Sequence, residues 1–280
     1  MRIVERLERA RALDGVSDKL QGAVSAAIRP QALKDFLHGT WLGHPLHPAV
    51  VQLPVGAFLS ATVLDLVPGT KRASKALIAV GIGSTVPAIA AGFADWSEMT
   101  HDKRRVGLVH AVSNVVAVGF YTASLVARLR GRPGKALAFA GSSAIGLSAY
   151  LGGHIAYARS GAVNQAAPEL GRVSEDWTQV GSLSSLPDGK PAVRTVGDVA
   201  VLLYRTGASV SAMIERCAHE TGPLGEGEVV EVGGDACVVC PWHGSTFRLS
   251  DGKVVHGPAG SDQPTLRVRV TDGMVEVAQP

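Results

Sequence analysis

The chain has 280 residues, of which 46% are hydrophobic and 18% are charged, and its formal net charge is +3. This length allows two structural units, and no basic patch interleaved with aromatic residues is present, so nucleic-acid binding is not expected. The apolar residues are concentrated before residue 160. We therefore predict two unlike halves, of which the first lies in a membrane.

Residues 1–37 predict a helical segment ahead of the membrane half. Val4, Leu7 and Ala10 recur at helical spacing. Five basic side chains lie among them: Arg2, Arg6, Arg9, Arg11 and Lys19. This pattern is typical of a basic amphipathic helix on a membrane surface, and an ordinary solvated helix gives the same pattern. The segment lacks the apolar core of a signal peptide and a twin-arginine export signal.

Residues 38–160 contain four segments that are apolar and long enough to span a bilayer. They cover about 48–67, 76–94, 106–127 and 135–157. Short basic loops separate them, which favours an all-α transmembrane four-helix bundle over the buried helices of a soluble protein. Glycines in the spans should let helices approach closely in lipid: Gly81, Gly83, Gly119 and Gly146. Residues 161–173 predict a short linker to the second half.

Several short motifs mark this membrane half. They are Gly43-His44-Pro45-Leu46-His47-Pro48, Leu53-Pro54-Val55-Gly56, Ala94-Asp95-Trp96 and Leu151-Gly152-Gly153-His154. On these motifs, approximately residues 38–165 resemble a membrane family catalogued as domain of unknown function 2231. The resemblance implies a four-helix membrane fold and supplies no reaction.

Four histidines fall at the same leaflet of the predicted bundle. His44 and His47 precede the first span, His110 begins the third, and His154 ends the fourth. Imidazoles near lipid are costly unless they are paired, so their clustering suggests a function. Two of them, for example His110 and His154, are candidates to ligate a haem or another metal, and quinone is a conceivable substrate there. The alternative is interfacial histidines that hydrogen-bond each other, Asp95 or lipid headgroups.

Residues 174–280 predict an all-β domain of short strands. The strand candidates are 198–204, 210–214, 229–232, 236–239, 246–249, 254–255, 266–270 and 274–277. Three tight turns link neighbouring candidates, at Gly233-Gly234, Asp251-Gly252 and Asp272-Gly273. Hairpins of this kind can hold two loops rigidly against each other.

Two short motifs in this half carry the chemistry. Cys217-Ala-His219 and Cys240-Pro-Trp-His243 form a C-x-H…C-x-x-H pattern. Each motif contributes one thiol and one imidazole, which suits a [2Fe–2S] cluster with two thiolates on one iron and two imidazoles on the other. Imidazole suits the iron that becomes ferrous and raises the potential above that of an all-cysteine cluster.

Other readings of these cysteines are weaker. Cys237 and Cys240 also form a C-x-x-C pair, but Cys217-Ala-His219 has the wrong gap for a zinc ribbon. Attachment of a c-type haem requires His directly after the second Cys, where this chain has Pro241. Cys237 has no partner in the cluster pattern, so its expected role is that of a small buried hydrophobe.

With the neighbouring Gly244-Ser245-Thr246-Phe247 and Thr221-Gly222-Pro223-Leu224, residues 174–280 resemble a Rieske ferredoxin domain. The resemblance implies that Cys217 and Cys240 bind one iron and that His219 and His243 bind the other. Quinol-oxidising members carry two further cysteines in a disulfide, where this chain has Gly222 and Trp242. High-potential members also place a Ser and a Tyr beside the cluster; Ser245 matches and Phe247 replaces the Tyr. We therefore predict the lower-potential, ferredoxin-like class.

The sequence favours a membrane-tethered electron carrier over a stand-alone enzyme. Its partners would be a redox protein, either a reductase or an oxidase component, and membrane lipid. A Rieske oxygenase needs a second iron held by two His and a carboxylate, and only His256 follows His243. Alternatives are a subunit of a membrane oxidoreductase and a sensor of oxidants or iron. Basic residues are balanced between the two sides of the bundle, and we expect the Rieske-like domain on the cytoplasmic side, where iron–sulfur domains are assembled.

Overall fold

The computed structural model describes residues 2–280, which fall into two compact units. The first unit is the described part of Met1–Pro30 together with Leu46–Gly161. The second is Gln31–Pro45 together with Ala162–Pro280. Residues 31–45 precede the first span in the chain, yet they belong to the second unit.

The helices are numbered in chain order. They are α1 (Arg2–Glu8), α2 (Asp14–Ala27), α3 (Gln31–His38), α4 (Leu46–Val50), α5 (Gln52–Leu64), α6 (Lys71–Ser97), α7 (His101–Leu129), α8 (Lys135–Gly153) and α9 (Ala167–Leu170). A π-helical turn, His154–Ala158, follows α8 directly.

Four stretches of the first unit are long and apolar enough to cross a membrane. They are Leu46–Leu64, Lys71–Ser97, His101–Leu129 and Lys135–Ala158. No more than 28% of the apolar stretch of any of them is buried inside the protein. Apolar surface on this scale would be costly in water and is what lipid-facing helices present. The predicted helical half with four apolar spans is confirmed.

The centre of the bundle is built around one aromatic pair. Phe58 on α5 and Tyr121 on α7 stack with their ring centroids 4.1 Å apart. Gly81 and Gly141 face these rings, and a Cβ on either glycine would come within 2.7 Å of a ring carbon. Of the four glycines expected at close helix contacts, only Gly81 is so placed. Gly83, Gly119 and Gly146 have open space beside them.

The amino-terminal helices pack on one end of the bundle. Val4 is buried and clusters with Val106, Leu151 and Ile155. Asp14 accepts a hydrogen bond of 2.6 Å from Arg105, whose guanidinium holds the pKa of the Asp14 carboxyl below its ordinary value. The apolar side of α1 therefore packs on the bundle, whereas Val16 on α2 is exposed, and the expected position of the segment on a membrane surface stays a prediction.

The second unit contains two antiparallel sheets. Its strands are β1 (Thr178–Ser182), β2 (Pro191–Val196), β3 (Val199–Thr206), β4 (Ser209–Ile214), β5 (Glu228–Val232), β6 (Asp235–Val239), β7 (Thr246–Arg248), β8 (Val254–His256), β9 (Thr265–Thr271) and β10 (Met274–Ala278). One sheet has the strand order β1-β10-β9-β4-β3-β2, and the other has the order β5-β6-β7-β8. The predicted all-β second half is confirmed.

The first two strands were missed by the sequence analysis. β1 contains Gly181 and a register shift between Gln179 and Gly181, and β2 begins at Pro191. Glycine and proline weaken a strand pattern. Both strands form because β10 and β3, respectively, supply the pairing partners.

Two segments outside the strands are fixed to the second unit. The predicted linker contains α9, and its Ala166 and Val173 are buried in the β core. On residues 31–45, the carboxylate of Asp35 accepts hydrogen bonds of 2.9 Å from Gly257 N and from His256 Nδ1, if that nitrogen carries the proton. The predicted linker is therefore part of a packed domain, and so are residues 31–45, which the sequence analysis assigned to the amino-terminal helical segment and the membrane half.

Candidate metal centre

Two tight loops carry the C-x-H and C-x-x-H motifs. The first follows β4, where Thr221 N donates to Cys217 O at 2.9 Å and Cys217 N donates to Gly222 O at 2.9 Å. The second joins β6 to β7, where Gly244 N donates to Cys240 O at 3.0 Å and Cys240 N donates to Ser245 O at 2.8 Å. Each cysteine therefore sits at the start of a closed turn that fixes its backbone before any ligand binds.

The two loop cysteines meet in the interior. Cys217 is 0% and Cys240 is 3% exposed, and their thiols are close enough to hydrogen-bond each other. This bond raises the pKa of Cys217, which burial raises further. The thiol of Cys217 lowers the pKa of Cys240 to about 6 despite burial, with help from the backbone N–H groups of Trp242 and His243. Donors aimed at sulfur stabilise a thiolate, the form that binds metal.

The two loop histidines form a second pair. The ring centroids of His219 and His243 are 5.1 Å apart and their planes are nearly perpendicular, at 89°. Both side chains are half-buried. The donor set is thus two adjacent thiols and two adjacent imidazoles, which fits a binuclear iron centre with two protein ligands on each iron.

Close approach at Gly222 completes the geometry. A Cβ at this position would lie 2.7 Å from Cys240 Sγ and 3.2 Å from Cγ of Trp242. Trp242 therefore packs over the glycine, while 57% of its side chain stays exposed. The three cysteines are all free thiols.

Comparison with known proteins identifies this region. Residues 176–268 match the family model of the Rieske [2Fe-2S] domain. The chain is 30% identical to the 3-phenylpropionate/cinnamic acid dioxygenase ferredoxin subunit of Escherichia coli K12 over 98 residues, which cover 35% of this chain and 89% of that protein. The chain belongs to the Rieske [2Fe–2S] family. Its second half is a Rieske domain that takes a [2Fe–2S] cluster and serves electron transfer.

Other comparisons cover the same region or the membrane half. The anthranilate 1,2-dioxygenase ferredoxin subunit of Burkholderia cepacia is 29% identical over 102 residues, covering 36% of this chain and 91% of that protein. The ferredoxin of carbazole 1,9a-dioxygenase from Nocardioides aromaticivorans IC177 is 26% identical, with a TM-score of 0.34, covering 37% of this chain and 98% of that one. Residues 43–165 match the family model described as a predicted membrane protein, DUF2231.

A glutamine that the sequence analysis did not single out braces the first loop of the Rieske domain. Gln263 is 2% exposed, and its Nε2 donates to Ile214 O at 2.7 Å and to Arg216 O at 2.8 Å. Its Oε1 accepts from Ala218 N at 2.8 Å. The side chain thereby satisfies three backbone groups next to Cys217, of which those of Ile214 and Ala218 are buried. Nothing in the local sequence pattern distinguishes Gln263 from other loop residues.

Ser245, Phe247 and Cys237, which the sequence analysis singled out beside the cluster motifs, are all buried. Ser245 is buried, and its Oγ accepts from Ala259 N at 3.0 Å, which leaves its hydroxyl hydrogen for another acceptor. Phe247 is fully buried and carries no donor. Cys237 is buried on β6, and its thiol lies 3.5 Å from Asp235 O.

The three candidate histidines of the helical unit, His47, His110 and His154, do not form one cluster. His44 is exposed and belongs to the Rieske unit, with Nδ1 3.0 Å from Pro45 O. His154 pairs with Glu8 at 2.8 Å. His47 and His110 come together, with ring centroids 6.5 Å apart. The structure thus pairs His110 with His47 rather than with His154, the pair that the sequence analysis offered as its example. Among the described residues, no third His, Cys, Asp or Glu side chain joins His47 and His110 in a group that could hold a metal ion.

Proposed function

We propose that Cys217 and Cys240 ligate one iron of the cluster and that His219 and His243 ligate the other. The observation that carries this assignment is the pairing of like donors, thiol with thiol and imidazole with imidazole, from two loops. Cys237 stands apart, with its thiol directed to Asp235 O.

The cluster serves as a one-electron carrier of the lower-potential class. The sites of the additional disulfide are occupied by Gly222 and Trp242, and the hydroxyl-bearing ring of high-potential relatives is replaced by Phe247. Fewer donors to the cluster leave the extra negative charge of its reduced state less stabilised, so the potential falls. The similarity to ferredoxin subunits of dioxygenases supports a soluble or membrane-bound reductase or oxidase component as the redox partner.

The helical half anchors this carrier in a lipid bilayer as four spans. The outward-facing apolar surface of the bundle and the match to a predicted membrane family support the anchor. With four spans both ends of the chain share one side, and we place the Rieske domain on the cytoplasmic side. Reporter fusions at the carboxyl terminus test this orientation: a reporter active only in the cytoplasm should give signal, and one active only outside should not.

The decisive experiment uses the full chain purified from membranes without oxygen. Carbonate washing should leave it in the membrane fraction, and non-haem iron and acid-labile sulfide should be present at two atoms each per chain, the content of one [2Fe–2S] cluster. Reductive titration should reduce this cluster by one electron and produce the EPR signal of a reduced Rieske cluster. Absence of iron and sulfide, or uptake of no electrons, would refute the proposal.

A further inference from the structure

His47 and His110 are held in the same way, each by a backbone carbonyl and a glycine of a neighbouring helix. His47 Nδ1 is 2.9 Å from Ala88 O on α6, and its ring lies over Gly92, where a Cβ would come within 2.8 Å of Nδ1. His110 Nδ1 is 2.8 Å from Ser148 O on α8, and its ring lies over Gly152, where a Cβ would come within 3.1 Å of Cε1. In both cases the carbonyl precedes the glycine by one helical turn.

The contact with the carbonyl determines which nitrogen of each ring can bind a ligand. A carbonyl only accepts, so each Nδ1 carries the hydrogen, and the lone pair of each ring is on Nε2. The amide of Asn114 lies 3.1 Å from His110 Nε2, as a donor to that lone pair would. A histidine that ligates a metal through Nε2 ordinarily donates its other N–H to a carbonyl in this way.

The spacing of the rings suits a metal between them. A metal about 2 Å from each imidazole nitrogen, with the nitrogens on opposite sides of it, places the ring centroids roughly 6 Å apart. The observed centroids are 6.5 Å apart, and the ring planes are nearly perpendicular, at 83°. His154 contributes to the ion pair with Glu8 instead.

The chemistry of this pair favours haem over a bare ion. Two neutral imidazoles leave a bare ion short of ligands, and the described part of the chain offers no third His, Cys, Asp or Glu to such a group. A porphyrin brings four nitrogens of its own and needs only axial ligands from the protein. Its apolar ring also suits a bundle whose surrounding helices are apolar, and helix bundles hold cofactors between facing side chains.

We propose that His47 and His110 are the axial ligands of one b-type haem in the helical bundle. Ligation of His110 Nε2 moves the Asn114 amide away, and Asn114 keeps the hydrogen bond that its Oδ1 accepts from Ser148 at 2.8 Å. This site goes beyond the proposed iron–sulfur function, and it needs no contact between the two units.

The test uses the full chain expressed in a haem-sufficient host, or reconstituted with hemin, and purified in detergent. We expect about one haem per chain by the pyridine haemochrome assay and a six-coordinate, low-spin absorption spectrum. Because the imidazole planes are nearly perpendicular, the ferric haem should give a strongly anisotropic low-spin EPR signal. Protein that contains the iron–sulfur cluster but binds no haem, including protein that carries a quinone instead, would overturn the proposal.

Matched variants assign the ligands. H47A and H110A should each abolish the six-coordinate spectrum, whereas H154A should keep it. In H47G, added imidazole should restore the six-coordinate form, which separates loss of a ligand from loss of the fold. The EPR signal of the Rieske cluster in the same samples reports that the chain is intact. Loss of haem in H154A together with its retention in H47A or H110A would overturn the assignment.

Discussion

Trp242 lies over the α-carbon of Gly222, with its Cγ 3.2 Å from where a Cβ would stand, so the two loops of the Rieske domain touch at this point. These are the positions at which quinol-oxidising relatives are expected to have a disulfide. Cys240 Sγ is closer still, at 2.7 Å from the same Cβ position. The loops therefore meet by packing on a glycine, without a covalent link.

Gly222→Ala should reduce cluster loading. The added methyl group would overlap Cys240 Sγ and the Trp242 ring, so the second loop must shift away from the first. We expect the non-haem iron content and the visible absorbance of the cluster per chain to fall at least severalfold. Gly171→Ala is the matched control, because a Cβ there has its nearest neighbour at an ordinary 3.7 Å. Equal loading of the two variants would contradict the close packing.

Cys240→Ser and His243→Ala should each abolish the visible cluster absorbance and the EPR signal of the reduced state. Each change removes one proposed ligand and leaves an iron with a single protein donor. Cys237→Ser is the control: its thiol lies on β6 beside Asp235 O, and its cluster signal should persist. A cluster that survives in both ligand variants would refute the assignment.

Ser245→Ala should lower the midpoint potential of the cluster. Ser245 Oγ already accepts from Ala259 N, so its own hydrogen is available to a cluster sulfur, and its loss removes stabilisation from the reduced state. EPR-monitored redox titration measures the shift. The wild-type potential should lie in the lower part of the Rieske range of roughly −150 to +300 mV. A wild-type value well above about +200 mV would contradict the lower-potential class.

Phe247→Tyr should act in the opposite direction and raise the potential. The new hydroxyl restores the donor that high-potential relatives place at this position. Phe247 is fully buried, so the added hydroxyl group could disturb the packing around it. The iron content of the variant is therefore measured before the titration is interpreted. With normal iron content, a potential that falls or stays constant would refute the donor argument.

Asp35→Ala should destabilise the Rieske unit. Asp35 accepts from His256 Nδ1 and Gly257 N, and its loss leaves a partly buried backbone N–H without this acceptor. The expected cost is about 1–3 kcal/mol. Thermal bleaching of the cluster absorbance in the full chain measures it, with Glu228→Ala on the exposed side of β5 as the control. Bleaching at the same temperature in both variants would show that residues 31–45 contribute nothing.

The local patterns of the sequence determined the two halves and the cluster motifs. Long apolar runs predict membrane spans because membrane thickness sets the length of a spanning helix. The C-x-H and C-x-x-H motifs predict the cluster ligands because each motif places its Cys and His only a few residues apart. Eight of the strands were predicted, six of them as pairs joined by tight turns; β1 and β2 were not, because glycine or proline weakens their pattern and each forms by pairing with another strand.

Only the tertiary structure decided which distant residues meet. Asp35 reaches His256, Gln263 braces the loop of Cys217, and His47 pairs with His110 rather than with His154. No periodicity records such contacts, since they arise when helices and loops from separate parts of the chain pack together and satisfy each other's buried polar groups. The sequence therefore identified the candidate histidines of the membrane half, and the packing of the helices determined that His47 and His110 lie together.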